Sequence, residues 1–138
     1  MNCKEIKNYG KTIKNYFQFL NKHAFSMKQY NNGIDYEVIY SKPDCKIEVI
    51  CALGTDANIL TNYENKLIDD KQLMEYSHFD VYIAIARGIC RCNLLQCNLF
   101  NPLSITDLKE KILNCKNDIQ KILKTYSSFL EKNLDNLL

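Results

Sequence analysis

The twenty residues IDYEVIYSKPDCKIEVICAL, 34 to 53, leave this chain little conformational freedom. In their first half Ile34, Tyr36, Val38 and Tyr40 alternate with polar neighbours; in the second Cys45, Ile47, Val49, Cys51 and Leu53 do so again. A period of two sends alternate side chains to one face, so both halves read as strands with one apolar side. Pro43-Asp44 between them marks the turn. Proline fixes φ negative, which suits the second position of a type I turn over Lys42–Cys45 and excludes the primed turns that need positive φ. The expected register sets Tyr40 against Cys45, Val38 against Ile47 and Tyr36 against Val49. It also sets Glu37 directly opposite Glu48 on the polar side, where like charges destabilise a pair. Such a pair can bind a cation or hold a shifted proton, or simply lie in solvent among lysines.

An apolar sheet face has to be covered, and two segments carry the helical period to cover it. From Cys3 to Ala24, Ile6, Tyr9, Ile13, Tyr16, Phe17, Leu20 and Ala24 recur at steps of three and four, with Lys4, Lys7, Lys11 and Lys14 as a solvated stripe opposite. Asn31-Asn32-Gly33 breaks the pattern. From 103 to 138 no Pro or Gly intervenes, and Ile105, Leu108, Ile112, Cys115, Ile119, Ile122, Tyr126 and Phe129 form a second stripe. Leu113, Leu123, Leu130, Leu134 and Leu137 widen it, and Ser104 to Asp107 supply helix-start residues. FDVYIAIAR, 79 to 87, reads as a central or helix-covered strand, apolar on both sides. Between these, Ile59, Leu60, Tyr63, Leu67 and Ile68 fit a third strand around 59 to 67, the favoured reading, or an irregular helix, and a short helix is expected from Asp69 to Met74. The fold class expected is therefore α+β: a two-layer domain over 1–138, with an antiparallel sheet of three to four strands covered by an N-terminal helix and a long C-terminal helix.

Composition narrows the function classes. A chain of 138 residues holds one core. No run reaches the ~18 apolar residues of a membrane span, and the first residues lack the apolar stretch of a secretory signal. Seven cysteines are an odd number, which fits a reducing cytoplasm better than a disulfide framework. The net charge of +2, with Arg87 and Arg91 as the only arginines, argues against nucleic acid. The four glycines are scattered, so no phosphate-cradling loop is present, and no catalytic signature or cofactor motif appears.

Reactive side chains are densest in GICRCNLLQC, 88 to 97. Cys90, Cys92 and Cys97, with Cys115, are candidate metal ligands, but their spacing lacks the two-residue gap of a zinc knuckle, and free thiols are the plainer reading. Arg91 between two cysteines is positioned in sequence to lower a thiol pKa. His23 and His78 are remote in sequence from these thiols. A second cluster, Asp69, Asp70, Glu75, His78 and Asp80, has metal-ligand residue types without calcium-loop spacing, and reads as an acidic edge facing solvent or a partner.

Taken in order, FLNKHAF, YEVIYSKPDCKIEVICAL, FDVYIAIARG and ILKTYSSFLEKNLDNLL resemble small bacterial proteins of immunity type, encoded beside toxins. The resemblance implies a non-enzymatic protein that binds and blocks one protein partner, a toxin or a defence effector. Asp69, Asp70, Glu75, His78, Asp80, Arg91 and Asn93 are the candidate contacts, because recognition is usually placed on loops of a rigid scaffold. Three other readings stand beside it. One is a phage-encoded inhibitor of a host defence system, and another a small thiol- or zinc-dependent enzyme centred on Cys90, Cys92 and Cys97. The third is a homodimer formed through the C-terminal helix, with Ile119 and Ile122 in its seam.

Overall fold

A computed structural model describes residues 3–31 and 35–138, apart from the side chains of 3–8 and 79. In chain order the elements are α1 (Cys3–Tyr16), α2 (Phe19–Lys22), β1 (Ser26–Asn31), β2 (Tyr36–Lys42), β3 (Cys45–Thr55), α3 (Ala57–Glu64), α4 (Asp70–Glu75), β4 (Ser77–Arg87) and β5 (Cys90–Asn93). A 3-10 turn at Leu94–Gln96 leads to α5 (Pro102–Asn114) and α6 (Ile119–Asn133), and a second at Leu134–Asn136 follows α6. The strands form one antiparallel sheet in the order β1-β2-β3-β4-β5. The α+β class and the antiparallel sheet are as expected. Five strands replace the expected three to four because polar segments were added at both edges: every residue of SMKQYN in β1 is exposed, and CRCN in β5 has no apolar alternation to announce it.

The hairpin turn is tighter than its expected register. Pro43 and Asp44 alone connect β2 to β3, so Lys42 pairs with Cys45, Tyr40 with Ile47, Val38 with Val49 and Tyr36 with Cys51. This is a slip of two residues from the expected pairing, one full pleat period, and it leaves every side chain on its expected face. Glu37 accordingly lies opposite Ile50 and Glu48 opposite Ile39, rather than the two acids opposite each other. Ile34 and the break at Asn32-Gly33 lie outside the described residues.

Local chemistry explains the other departures. The expected strand at 59 to 67 is the helix α3, opened by Asp56, whose side chain accepts from the Asn58 N–H at 2.8 Å. The short helix from Asp69 forms as expected, with a capping box to Gln72. The long C-terminal helix is two helices, because Lys116 and Asn117 take left-handed φ of 48° and 64° and Asp118 starts α6 afresh with its carboxylate on the Lys121 N–H. Asn101 caps α5 ahead of Pro102, in place of the Ser104 to Asp107 start. Likewise the N-terminal helix ends at Tyr16, and Ala24 is an exposed turn residue at φ 64° rather than part of an apolar face.

The core lies on one side of the sheet. Tyr36, Val38 and Tyr40 of β2, Cys45, Ile47, Val49 and Cys51 of β3, and Ile83 and Ile85 of β4 join Tyr9, Ile13 and Phe17 of α1 and Ile122, Leu123, Tyr126 and Leu130 of α6 in one buried cluster. Each fully buried aliphatic or aromatic side chain contributes roughly 1.5–3 kcal/mol. The widened C-terminal stripe is spent here: Leu123, Leu130, Leu134 and Leu137 are buried, while Leu113 is 78 % exposed. Ile119 and Ile122 are buried in the same cluster, which removes them from any dimer seam. Replacing both with Asp is expected to unfold the monomer, seen as lost circular dichroism and not as a folded, lighter species in size-exclusion chromatography.

α1 approaches β2 so closely that only a glycine fits at position 10, where a Cβ would stand 2.2 Å from the Tyr36 ring. In an exposed helix Gly→Ala gains about 1 kcal/mol. Gly10→Ala is expected to reverse that sign and destabilise by roughly 1–3 kcal/mol through overpacking, read from denaturant midpoints at unchanged slope.

Candidate functional site

Residues directly paired across an antiparallel sheet share a face, so the register defines the side opposite the core. One row runs Tyr30, Glu37, Ile50, Tyr82; the next runs Lys28, Ile39, Glu48, Ala84, Asn93; a third runs Ser41, Lys46, Ala86, Arg91. Beyond them lie Ala52 with Asp80 and Gly54 with His78. The buried cluster that joins the sheet to α1 and α6 includes none of these residues. This outer face is the candidate site.

At its centre Arg91 of β5 reaches across β4 to Glu48 of β3, donating from Nε at 2.9 Å and from Nη2 to the same carboxylate oxygen. Two strand spacings separate these residues, about 10 Å, and the path is clear because the intervening β4 positions are Ala84 and Ala86. Glu48 is 14 % exposed against 56 % for Arg91, so the pair is half-sheltered and fixed in direction. The hydrogen bond to Glu48, and then its charge, hold the guanidinium pKa above its ordinary value.

Glu37 lies beside this pair on the same face. Burial, and secondarily the Glu48 charge, raise its carboxyl above the ordinary value, with Arg91 opposing. It makes no hydrogen bond or ion pair among the described residues. Beside it is a depression of about 460 Å³ lined by Tyr30, Asp35, Glu37, Ile50, Tyr82 and Arg91 among others. Asp35 is tied down there, its carboxylate accepting from the Leu53 N–H at 3.0 Å. Farther along the face the exposed His78 and Asp80 pair at 3.3 Å. The His78 ring lies against Gly54, where an added Cβ would be 2.4 Å from Nε2.

Of the expected contacts, His78, Asp80, Arg91 and Asn93 therefore share this face. The Asn93 side chain is committed to structure, accepting from the Leu95 N–H at 2.9 Å to start the 3-10 turn. Asp69, Asp70 and Glu75 belong to the start and body of α4 instead. Asp69 caps that helix, and Asp70 accepts from the Tyr63 hydroxyl at 2.6 Å. Tyr30, Glu37, Glu48 and Tyr82 were not among the expected contacts. For Tyr82 the alternation of His78, Asp80, Tyr82, Ala84 and Ala86 was the available signal.

The cysteines divide differently. Cys45, Cys51, Cys97 and Cys115 are buried, Cys92 is half-buried and Cys90 exposed. Cys115 sits at the end of α5, bonded to the Lys111 carbonyl at 3.2 Å and facing the Thr125 hydroxyl at 3.6 Å. Among the described residues no three His, Cys, Asp or Glu side chains are placed to hold a metal ion, so the set Cys90, Cys92, Cys97 and Cys115 is not assembled. Nor does Arg91 activate a neighbouring thiol. It turns to Glu48 on the outer face, whereas Cys92 pairs with Ile85 on the inner one, and burial followed by a hydrogen bond with Cys97 pushes the Cys92 thiol up to about 11.

No family model, curated protein or solved structure matches this chain.

The charge arrangement has a measurable consequence. Glu48→Gln is expected to lower the Glu37 pKa, and Arg91→Gln to raise it further, in an NMR carboxyl titration. Because Glu37 is raised in the folded state, its contribution to stability is complete below its ordinary 4.5 and lost as pH rises through the folded value. Glu37→Gln should flatten that decline.

Proposed function

We propose that this chain is a non-enzymatic, protein-binding inhibitor of immunity type, which blocks one protein partner by surface complementarity through the outer face of its sheet. The observation that carries this reading is the half-buried Glu37, with no ion pair among the described residues, in a depression shared with Tyr30 and Tyr82. A half-buried carboxylate beside aromatic rings suits a lysine or arginine presented by a partner, through ion pairing and cation–π contact. The fixed Glu48–Arg91 pair alongside gives the face a directional charge pattern of the kind that selects partners. A phage-encoded inhibitor of a host defence effector would use the same surface, and the identity of the partner separates the two.

The protein is placed in the cytoplasm on this reading, where its thiols stay reduced; no helix among the described residues is long and apolar enough to cross a membrane. The rival, a thiol- or zinc-dependent enzyme, lacks support from the dispersed cysteine set and from the unactivated Cys92.

The test begins with affinity capture from the source cell, followed by purification of the captured protein and titration of its activity with this chain. Inhibition at one-to-one stoichiometry is expected. Glu37→Lys and Tyr82→Ala should each weaken binding by about tenfold or more, on the order of 1.4 kcal/mol, while Asp70→Lys on α4 leaves it unchanged and all three keep the wild-type circular dichroism. Loss of binding in Asp70→Lys alone would move the interface to α4. Stoichiometric metal in the purified protein, or one thiol reacting far faster than the rest, would favour the enzyme.

A further inference from the structure

The sheet ends in two edges of unequal length. β5 offers four residues, whereas β1 offers six, Ser26–Asn31, all exposed and paired with β2 in unbroken register. An open edge is a template for another strand, and edges are commonly blunted by proline, a bulge or several charges. SMKQYN carries no proline, its register shows no bulge, and Lys28 is its one charge, while Met27 and Tyr30 are 38 % and 53 % exposed.

The direction of its backbone groups follows from the far side of the sheet. The Gly88 N–H bonds the Asp44 carbonyl at 3.4 Å, so Asp44 turns toward β4 and Cys45 toward β2. Alternation carries this across the ladders: Glu37, Ile39 and Ser41 turn to β1, and Ser26, Lys28 and Tyr30 turn to β2. Met27 and Gln29 therefore turn their N–H and C=O groups outward. The Gln29 side chain accepts from the Tyr36 hydroxyl, which fixes the middle of the edge against β2.

We propose that β1 pairs antiparallel with β1 of a second copy of this chain, about a twofold axis through Gln29. Two copies related by an axis normal to the sheet share its faces, so odd residues pair with odd and even with even. Centres at Met27 or Tyr30 pair only three residues of each β1, and a centre at Lys28 sets two lysines directly opposite, where like charges destabilise. A centre at Gln29 pairs five residues, Met27 to Asn31, and joins the two outward-turned Gln29 backbones by reciprocal bonds. It also sets Lys28 against the partner's Tyr30, on the outer face, where an ammonium over the ring gains cation–π attraction. Tyr30 is opposite Glu37 in its own chain. Lys28 thus stands two strand spacings from the partner's Glu37, about 10 Å, the span that Arg91 bridges to Glu48 on the same face. Each copy brings a cation to the other's half-buried acid, twice per dimer, and this complementarity selects a second copy as the occupant. The self-pairing goes beyond the binding role proposed above and stands without it.

An edge contact of this length is small for an interface, so a weak dimer is expected, half-dissociated at about 10–100 μM. Sedimentation velocity of the full-length protein through that range should show it, with amide exchange of Met27 and Gln29 slowing as the dimer forms and exchange in β5 unchanged. Lys28→Glu and Glu37→Lys should each weaken association about tenfold or more at wild-type circular dichroism, one by bringing two acids together and the other two lysines. Mixing the two variants should restore it as a heterodimer, in which both cross-strand contacts join opposite charges. Gln29→Pro removes an outward N–H and no bond to β2, and should abolish the dimer while keeping the fold. A monomer throughout the range, charge variants that dimerise like the wild type, or no recovery on mixing would each overturn the pairing. Protection of Met27 and Gln29 only in the presence of a captured protein would overturn it too, assigning the edge to that protein. Inhibition of the captured partner that persists alongside any of these results leaves the binding role intact, and a dimer without such inhibition leaves the edge pairing intact.

Discussion

Everything in this molecule is arranged around a sheet whose inner side is apolar through the middle of β2, β3 and β4, while its outer side mixes charged, aromatic and small residues. The inner positions of β2, β3 and β4 are Tyr, Val, Ile and Cys, and no exposed arrangement of that many apolar side chains is stable in water. α1 and α6 meet the need from the two ends of the sequence, which is why a chain of this size closes as one core despite polar strands at both edges. The close approach of α1 at Gly10 shows how far the contact is driven, since the helix accepts an unfavourable residue to bring its backbone against Tyr36.

Covering one face leaves the other to be built from cross-strand pairs alone. That face is held by small residues as much as by charged ones: Ala84 and Ala86 let an arginine from the edge strand span to the third strand, and Gly54 lets the His78 ring lie flat. A larger residue at either alanine would separate Arg91 from Glu48, and the charge pattern would dissolve into independently solvated groups of little energetic weight. Glu37, half-buried beside Glu48, has its carboxyl raised above the ordinary value, a perturbation of the kind that concentrates at functional positions.

What could be read in advance follows from how far each signal extends along the chain. The alternation in 34 to 53 fixed the β2–β3 hairpin and its inner face, and even a register wrong by two residues could not misplace a side chain, because the error equalled the pleat period. Helical stripes located α1 and α6 and their buried residues. What escaped was set by single backbone events. Lys116 and Asn117 in left-handed conformation split a helix that no Pro or Gly marked, and Asp56 turned 57 to 64 into a helix where Ile59, Leu60 and Tyr63 had suggested a strand. β1 and β5 owe their conformation to pairing with a neighbour rather than to their own sequences, so nothing in SMKQYN or CRCN announced them.

GICRCNLLQC reads in sequence as one reactive cluster and is two in the fold. Consecutive residues of a strand point to opposite faces, so Arg91 went to the outer face and a glutamate, while Cys92 went to the inner face and a buried thiol. Proximity in sequence had suggested that the guanidinium would activate the sulfur. The pleat separates them and gives each a different partner, leaving the thiol less ionised than it would be in water. Reactivity here is governed by face, and a short edge strand divides the two chemistries.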